Sequence, residues 1–167
     1  MGASIIYIIG VSGSGKTTIG KKLSAKTGIP FFDADNFHST ANKEKMKAGH
    51  PLTDDDRSEW LMKINKLAKE HMKKDGAIIA CSALKEKYRT VLSHGIIIPV
   101  FWVFLQGSYE LIKKRMKART DHFMPPTMLS SQFDALEIPQ QCITFDISEN
   151  PDKIVEEIIS GVGLLMK

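Results

Sequence analysis

The residues Gly10-Val11-Ser12-Gly13-Ser14-Gly15-Lys16-Thr17 combine types and spacing suited to holding a polyphosphate. Glycines let backbone N–H groups point inward with no Cβ in the way. A helix that starts just after them adds its positive end to the cradle. Lys16 then reaches the β- and γ-phosphates as a point charge, and the Thr17 hydroxyl is placed to ligate Mg²⁺. The nucleotide-binding set on this reading runs from Gly10 to Thr18. A glycine-rich turn would gain nothing from a lysine and a hydroxyl at these two places. A dinucleotide fingerprint fails, because Gly13-Ser14-Gly15 is followed by Lys16 and Thr17 instead of x-x-Gly.

Phosphoryl transfer asks for positioning, a metal ion and cations on the transferring oxygens. Three further clusters offer these. Asp33-Ala34-Asp35 closes an apolar run, and strand ends at the carboxyl edge of a parallel sheet line its ligand crevice. One carboxylate can hold a magnesium-bound water and the other can orient a hydroxyl nucleophile; an acidic turn is the plainer alternative. Arg57 follows Asp54-Asp55-Asp56. The three acids suit a helix dipole, and an arginine facing a cleft can fork onto a carboxylate. Arg115 and Arg119 are four apart and can face one ligand. Dipole complementarity at a helix end is their plainer explanation. Arg119 leads into residues 120–131, which read as a hinged cover able to exclude water on closure. The run Ile78-Ile79-Ala80-Cys81-Ser82 lacks a Walker-B aspartate, and Asn42-Lys43-Glu44-Lys45 is not N-K-x-D. A motor ATPase and a guanine switch are thereby disfavoured against a small-metabolite kinase.

The elements that must position these groups alternate along the chain. Ile5–Ile9, Phe31–Asp33, Ile78–Cys81, Val100–Leu105 and Ile143–Phe145 read as five strands. Continuous apolar runs of this length suit a parallel sheet covered on both faces, hence a three-layer α/β fold. Gly28 and Pro30 stop the helix after the glycine loop. Thr53 caps another helix, with Trp60, Leu61, Ile64, Leu67 and Ala68 as its apolar stripe. Ser108 opens a third, and Asn150-Pro151-Asp152 the last. Residues 33–52 and 120–141 show no clear periodicity, and long irregular segments in compact domains are usually functional. No repeat or linker divides residues 1–167, which read as one domain.

Composition narrows the partners. The net charge is +4 and the pI about 9.0, mild values that suit anionic small molecules. Lys63, Lys66, Lys69, Lys73 and Lys74 read as a solvated helix face, without the interleaved aromatics of a nucleic-acid stripe. Two cysteines, Cys81 and Cys142, fit a reduced, cytoplasmic protein. No signal peptide is expected. The apolar run 96–105 is broken by Pro99 and falls short of the roughly 18 residues of a membrane span, so no membrane partner is expected.

Three longer blocks resemble the gluconate kinase (gluconokinase) family, relatives of shikimate and nucleoside monophosphate kinases. The first runs from Asp33-Ala34-Asp35-Asn36-Phe37-His38 through Asn42, Lys45-Met46 and Gly49-His50-Pro51-Leu52 to Arg57 and Trp60-Leu61. The second is Cys81-Ser82-Ala83-Leu84-Lys85 with Tyr88-Arg89, and the third joins Arg115-Met116, Arg119, His122-Phe123-Met124 and Ser131–Glu137. The resemblance covers nearly the whole chain. It implies a P-loop kinase fold with a five-stranded parallel sheet and a mobile lid over about 119–131. It also implies ATP-dependent, Mg²⁺-supported phosphorylation of D-gluconate to 6-phosphogluconate, and a homodimer. Carried over by position, Asp35 contacts the acceptor hydroxyl as base and Asp33 is a water-mediated magnesium partner beside Thr17. Arg57 clamps the substrate carboxylate, while His38 and Lys45 serve the sugar site. Arg115 packs near adenine; Arg119, with Lys16, meets the phosphates. Ser39 and Glu59 stand where the family often has proline. The rivals are a kinase of this fold with another acceptor, such as shikimate or a nucleoside monophosphate, and a nucleotide-binding regulator without turnover.

Overall fold

The computed structural model describes residues 2–119 and 125–165. Five parallel strands form one sheet in the order β2-β3-β1-β4-β5. They are β1 (Ile5–Ile9), β2 (Phe31–Asp33), β3 (Ala77–Ala80), β4 (Val100–Gln106) and β5 (Ile143–Asp146). Between them run α1 (Lys16–Thr27), α2 (Thr40–Lys47), α3 (Asp54–His71), α4 (Glu86–Ser93), α5 (Tyr109–Ala118), α6 (Pro126–Ala135) and α7 (Pro151–Leu165).

The central strand shows why its sequence is apolar throughout. Successive side chains of a strand point to opposite faces. Ile6 and Ile8 enter a core with Ile19 and Leu23 of α1 and Val155 and Ile158 of α7. Ile5, Tyr7 and Ile9 enter another, with Trp60, Leu61 and Ile64 of α3 and Leu92 of α4. Every β1 residue is buried, as a doubly covered strand requires. The Tyr7 hydroxyl is satisfied by donating to the Leu92 carbonyl at 3.0 Å, and its ring stacks on Trp102.

The α3 terminus is fixed by local chemistry. Thr53 Oγ1 accepts from Asp56 N–H at 3.1 Å, while the Asp56 carboxylate accepts from Thr53 N–H at 2.8 Å. This reciprocal capping box satisfies two otherwise orphaned donors. Ser108 caps α5 by accepting from Leu111 N–H, and Asn150 accepts from Asp152 N–H at the start of α7. Gly20 lets α1 approach β2: a Cβ there would lie 2.2 Å from the Phe31 ring. That approach brings the start of α1 beside Asp33.

Several expectations require correction. Residues 33–52 are not irregular: they hold a 3-10 turn over Ala34–Phe37 and α2, capped by Ser39. Residues 126–131 of the expected hinged cover are helical, the first part of α6 (Pro126–Ala135). Thr120 and the block His122-Phe123-Met124 lie outside the described residues. β3 ends at Ala80, so Cys81 follows the strand, although its N–H still donates to the Ile8 carbonyl at 3.0 Å. Cys142 precedes β5.

Candidate active site

All five strands point their carboxyl ends toward one edge, and the loop between β1 and α1 lies there. Gly15 takes φ 97° and precedes α1 with no side-chain cap on the first turn. An L-residue is strained at that angle, and a Cβ on Gly15 would meet nothing within 4 Å. Conformation, not crowding, therefore calls for glycine there. The opening N–H groups of α1 lack the side-chain acceptor that α3 has in Thr53, which suits them to an oxyanion. Lys16 folds over the loop, its Nζ donating to the Gly10 and Val11 carbonyls, each at 3.0 Å. Burial pulls the Lys16 pKa below its ordinary value, and the charges of Asp35, Cys81 and Asp33 oppose that fall.

Asp33 at the end of β2 and Asp35 in the 3-10 turn after it have different surroundings. Asp33 Oδ2 accepts from Thr17 Oγ1 at 2.9 Å, and its Oδ1 accepts from Asp35 N–H at 3.0 Å. The same carboxylate thus caps the 3-10 turn and faces the helix-start hydroxyl. The turn carries Asp35 onward into a cavity of about 560 Å³ that Ser12, Lys16, His38 and Arg57 also line.

His38 lies flat on Trp60, centroids 4.2 Å apart and planes 12° apart. Trp60 is anchored by its indole N–H, which donates to the Ala34 carbonyl at 2.7 Å. Burial, then the positive charges of Arg57 and Lys43, push the His38 pKa down to about 4. The ring is consequently neutral near pH 7. Arg57 is held from below: its Nη1 donates to the Leu52 carbonyl and reaches Tyr88 Oη at 3.4 Å. Lys45 is placed differently from the expected sugar contact. Its Nζ pairs with Asp56 Oδ2 at 2.6 Å, and it does not line the cavity.

A second cavity of about 390 Å³ lies across the glycine loop, lined by Gly13, Ser14, Gly15, Thr18 and, from α5 and beyond, Arg115 and Arg119. Arg115 donates to the Ile147 carbonyl at 2.6 Å, beside the apolar Leu105, Ile147 and Ile154 of the same wall. The loop is therefore a divide, with Ser12 and Lys16 on one side and Gly13 to Gly15 on the other.

Sequence reasoning gave no role to Gln132 or Ser82, which also line the larger cavity. Gln132 Oε1 accepts from Ser12 N–H at 2.7 Å, and the Ser82 carbonyl accepts from Gly10 N–H at 3.3 Å. Both stand in the blocks quoted for the family resemblance. Neither has a spacing signal of its own.

A phosphate cradle with a cavity on each side can pass a phosphoryl group from one occupant to the other, and with the three-layer parallel sheet it defines a P-loop kinase. A family model described as shikimate kinase matches residues 12–161. A probable gluconokinase from Dictyostelium discoideum is 46% identical, with 93% of this chain and 84% of that protein covered. The thermosensitive gluconokinase of Escherichia coli (strain K12) is 40% identical over 97% of this chain and 89% of that protein. Among solved structures, a gluconokinase from Sinorhizobium meliloti 1021 superimposes with a TM-score of 0.87 at 36% identity, covering 97% of this chain and 93% of that one. The chain belongs to the gluconokinase group of the shikimate kinase family.

Proposed function

We propose that the protein is a gluconokinase, transferring the γ-phosphoryl group of ATP in line to the primary hydroxyl of D-gluconate. The observation that carries this is the divide itself. Lys16 and Asp35 share the larger cavity, while the uncapped start of α1 opens on the other. In the transfer, the bond from the γ-phosphorus to the bridging oxygen breaks and ADP leaves. A bond from the C6 oxygen forms, and Asp35 orients that hydroxyl and accepts its proton. Lys16 and Arg119 spread the charge of the transferring oxygens. Arg57 faces the same cavity as a fork for the gluconate carboxylate, and neutral His38 offers hydrogen bonds to the polyol.

Thr17 and Asp33 are the candidate holders of Mg²⁺. Their hydroxyl and carboxylate are hard oxygen donors side by side, a pair that suits this ion when substrate phosphates supply further oxygens. Bound there, the ion would neutralise charge between the β- and γ-phosphates. Among the described residues no group of three or more His, Cys, Asp or Glu side chains is placed to hold a metal, so phosphate oxygens and water belong to the proposed shell. Arg115 flanks the adenine, and the lid expected over about 119–131 would close in its part before α6, whose Met128 and Leu129 are buried. We further place the protein in the cytoplasm as a homodimer. Two free thiols support the compartment, and exposed Ile97 and Ile138 support self-association. Among the described residues no helix is long and apolar enough to cross a membrane.

ADP release measured across a panel of acceptors tests the assignment. Turnover is expected with gluconate and not with shikimate or nucleoside monophosphates; nucleotide binding with no acceptor-dependent turnover overturns it. Sedimentation at micromolar concentration tests the dimer.

A further inference from the structure

Ser12 differs from the rest of the glycine loop in facing the acceptor side. It lines the larger cavity with Lys16 and Asp35, whereas Gly13, Ser14, Gly15 and Thr18 line the nucleotide cavity. A triphosphate tail lying along the loop would reach Ser12 last, at its terminal phosphoryl group. The Ser12 N–H already has an acceptor: Gln132 Oε1, at 2.7 Å, from a residue 120 positions further along the chain. Gln132 comes from α6, which Met128 and Leu129 anchor by burial. The same side chain lines the acceptor cavity and the smaller cavity beside it that Arg57 also borders.

We infer that Gln132 is a positioning residue that couples the terminal phosphoryl subsite to the acceptor site. Its carbonyl holds the Ser12 N–H until a phosphoryl oxygen replaces it. A hydrogen bond to an ionised oxygen is roughly twice as strong as a neutral one, so the triphosphate wins the exchange and the diphosphate, one group shorter, does not compete for it. The displaced carboxamide turns into the cavity it lines and contacts a polyhydroxy acceptor there. The acceptor contact rests on the gluconokinase reading above; the exchange at Ser12 does not.

Two substitutions separate these parts. Gln132→Glu puts a carboxylate on the Ser12 N–H, a stronger acceptor that also repels a phosphoryl group. A non-hydrolysable ATP analogue, titrated calorimetrically, is expected to bind about tenfold more weakly to this variant, with ADP affinity within about twofold of the parent. Equal changes for the two nucleotides, or none, overturn the exchange at Ser12. Gln132→Ala is expected to raise the gluconate KM about five- to tenfold, the scale of one net hydrogen bond, without raising the ATP KM. An unchanged gluconate KM overturns the acceptor contact. Parent protein that binds ATP but fails to phosphorylate gluconate instead overturns the acceptor assignment and leaves the nucleotide titrations decisive for Ser12. Thermal unfolding of both variants, expected near the parent midpoint, shows that the comparisons are made on folded protein.

Discussion

Asp33 and Asp35 are two residues apart, and hydrogen bonds separate their work. Asp33 is committed to Thr17 Oγ1 and to the turn that follows, whereas Asp35 enters the acceptor cavity beside Lys16. Their asparagine variants are therefore expected to fail differently. Asp35→Asn removes the proposed proton acceptor and is expected to lower kcat by roughly 10²–10⁴, toward the smaller end because a loose transition state asks little of its base. Asp33→Asn keeps hydrogen-bonding capacity for the turn and is expected to weaken the proposed Mg²⁺ site. It raises the Mg²⁺ concentration needed for half-maximal turnover and recovers much of its rate at high Mg²⁺. Initial rates over a free-magnesium titration distinguish the two, and an Asp35→Asn protein with unaltered turnover removes Asp35 from the chemistry. The spacing of the acids alone left their roles interchangeable. The assignment depends on the register of β2 beside β3, where Asp33 is opposite Ala80, and on how closely Gly20 lets α1 approach. Lys45 shows the same dependence: only the structure reveals the Asp56 carboxylate that takes it.

The segment between β3 and α4 is braced by one buried cation. Ala83 takes φ 43°, a sparsely populated region for a residue with a Cβ. Arg89 of α4 is 3% exposed and donates to the Ala83 carbonyl at 2.7 Å and the Glu137 carbonyl at 2.9 Å, with Glu86 as its ion partner. Glu137 N–H in turn donates to the Leu84 carbonyl at 2.8 Å. The C-terminal side of α6 and the floor of the acceptor cavity are thereby tied together. Arg89→Met keeps the bulk and removes the donors, and is expected to cost about 3 kcal/mol by leaving the Ala83 and Glu137 carbonyls without their donor. Urea unfolding measures it; parental stability would mean that the brace contributes nothing. Elements with strong end signals or apolar runs were legible: β1, β4 and the capped α3, α5 and α7. α2, α4 and α6 were not. Asn42 is the buried residue of α2, α4 is eight residues long and lacks a side-chain cap bond, and α6 likewise lacks one. Such helices exist because neighbouring elements pack them, a cause that no local pattern records.

For the whole molecule, three perturbed groups lie in or near the α2–α3 wall of the acceptor cavity, and all push stability in one direction. The His38 pKa is depressed to about 4 by burial, Arg57 and Lys43. Its contribution is full above the ordinary histidine value of about 6.5 and is lost as pH falls toward 4, because the unfolded chain binds the proton more readily. Hydrogen bonds from Lys87 and Tyr88, with Lys85 nearby, hold the Asp54 carboxyl well below the usual range. Lys45 and Thr53 lower Asp56 to about 2. These two contributions are full above ordinary carboxylate values near 4 and are lost below them. Stability is thus expected to decline in two stages on acidification, first between about pH 6.5 and 4 through His38, then below about 4 through the two aspartates. His38→Gln retains a planar polar group against Trp60 and cannot take the proton. Its thermal midpoint should stay nearly flat over the first stage, where the parent falls, and both proteins should decline together below it. Because the folded ring takes its proton only near pH 4, gluconate affinity and ADP affinity should both hold through the first stage. Calorimetric titration of each ligand at pH 7 and pH 5 reads this directly, and a loss of gluconate affinity at pH 5 would show that the folded ring protonates at a higher pH than its burial beside Arg57 and Lys43 implies.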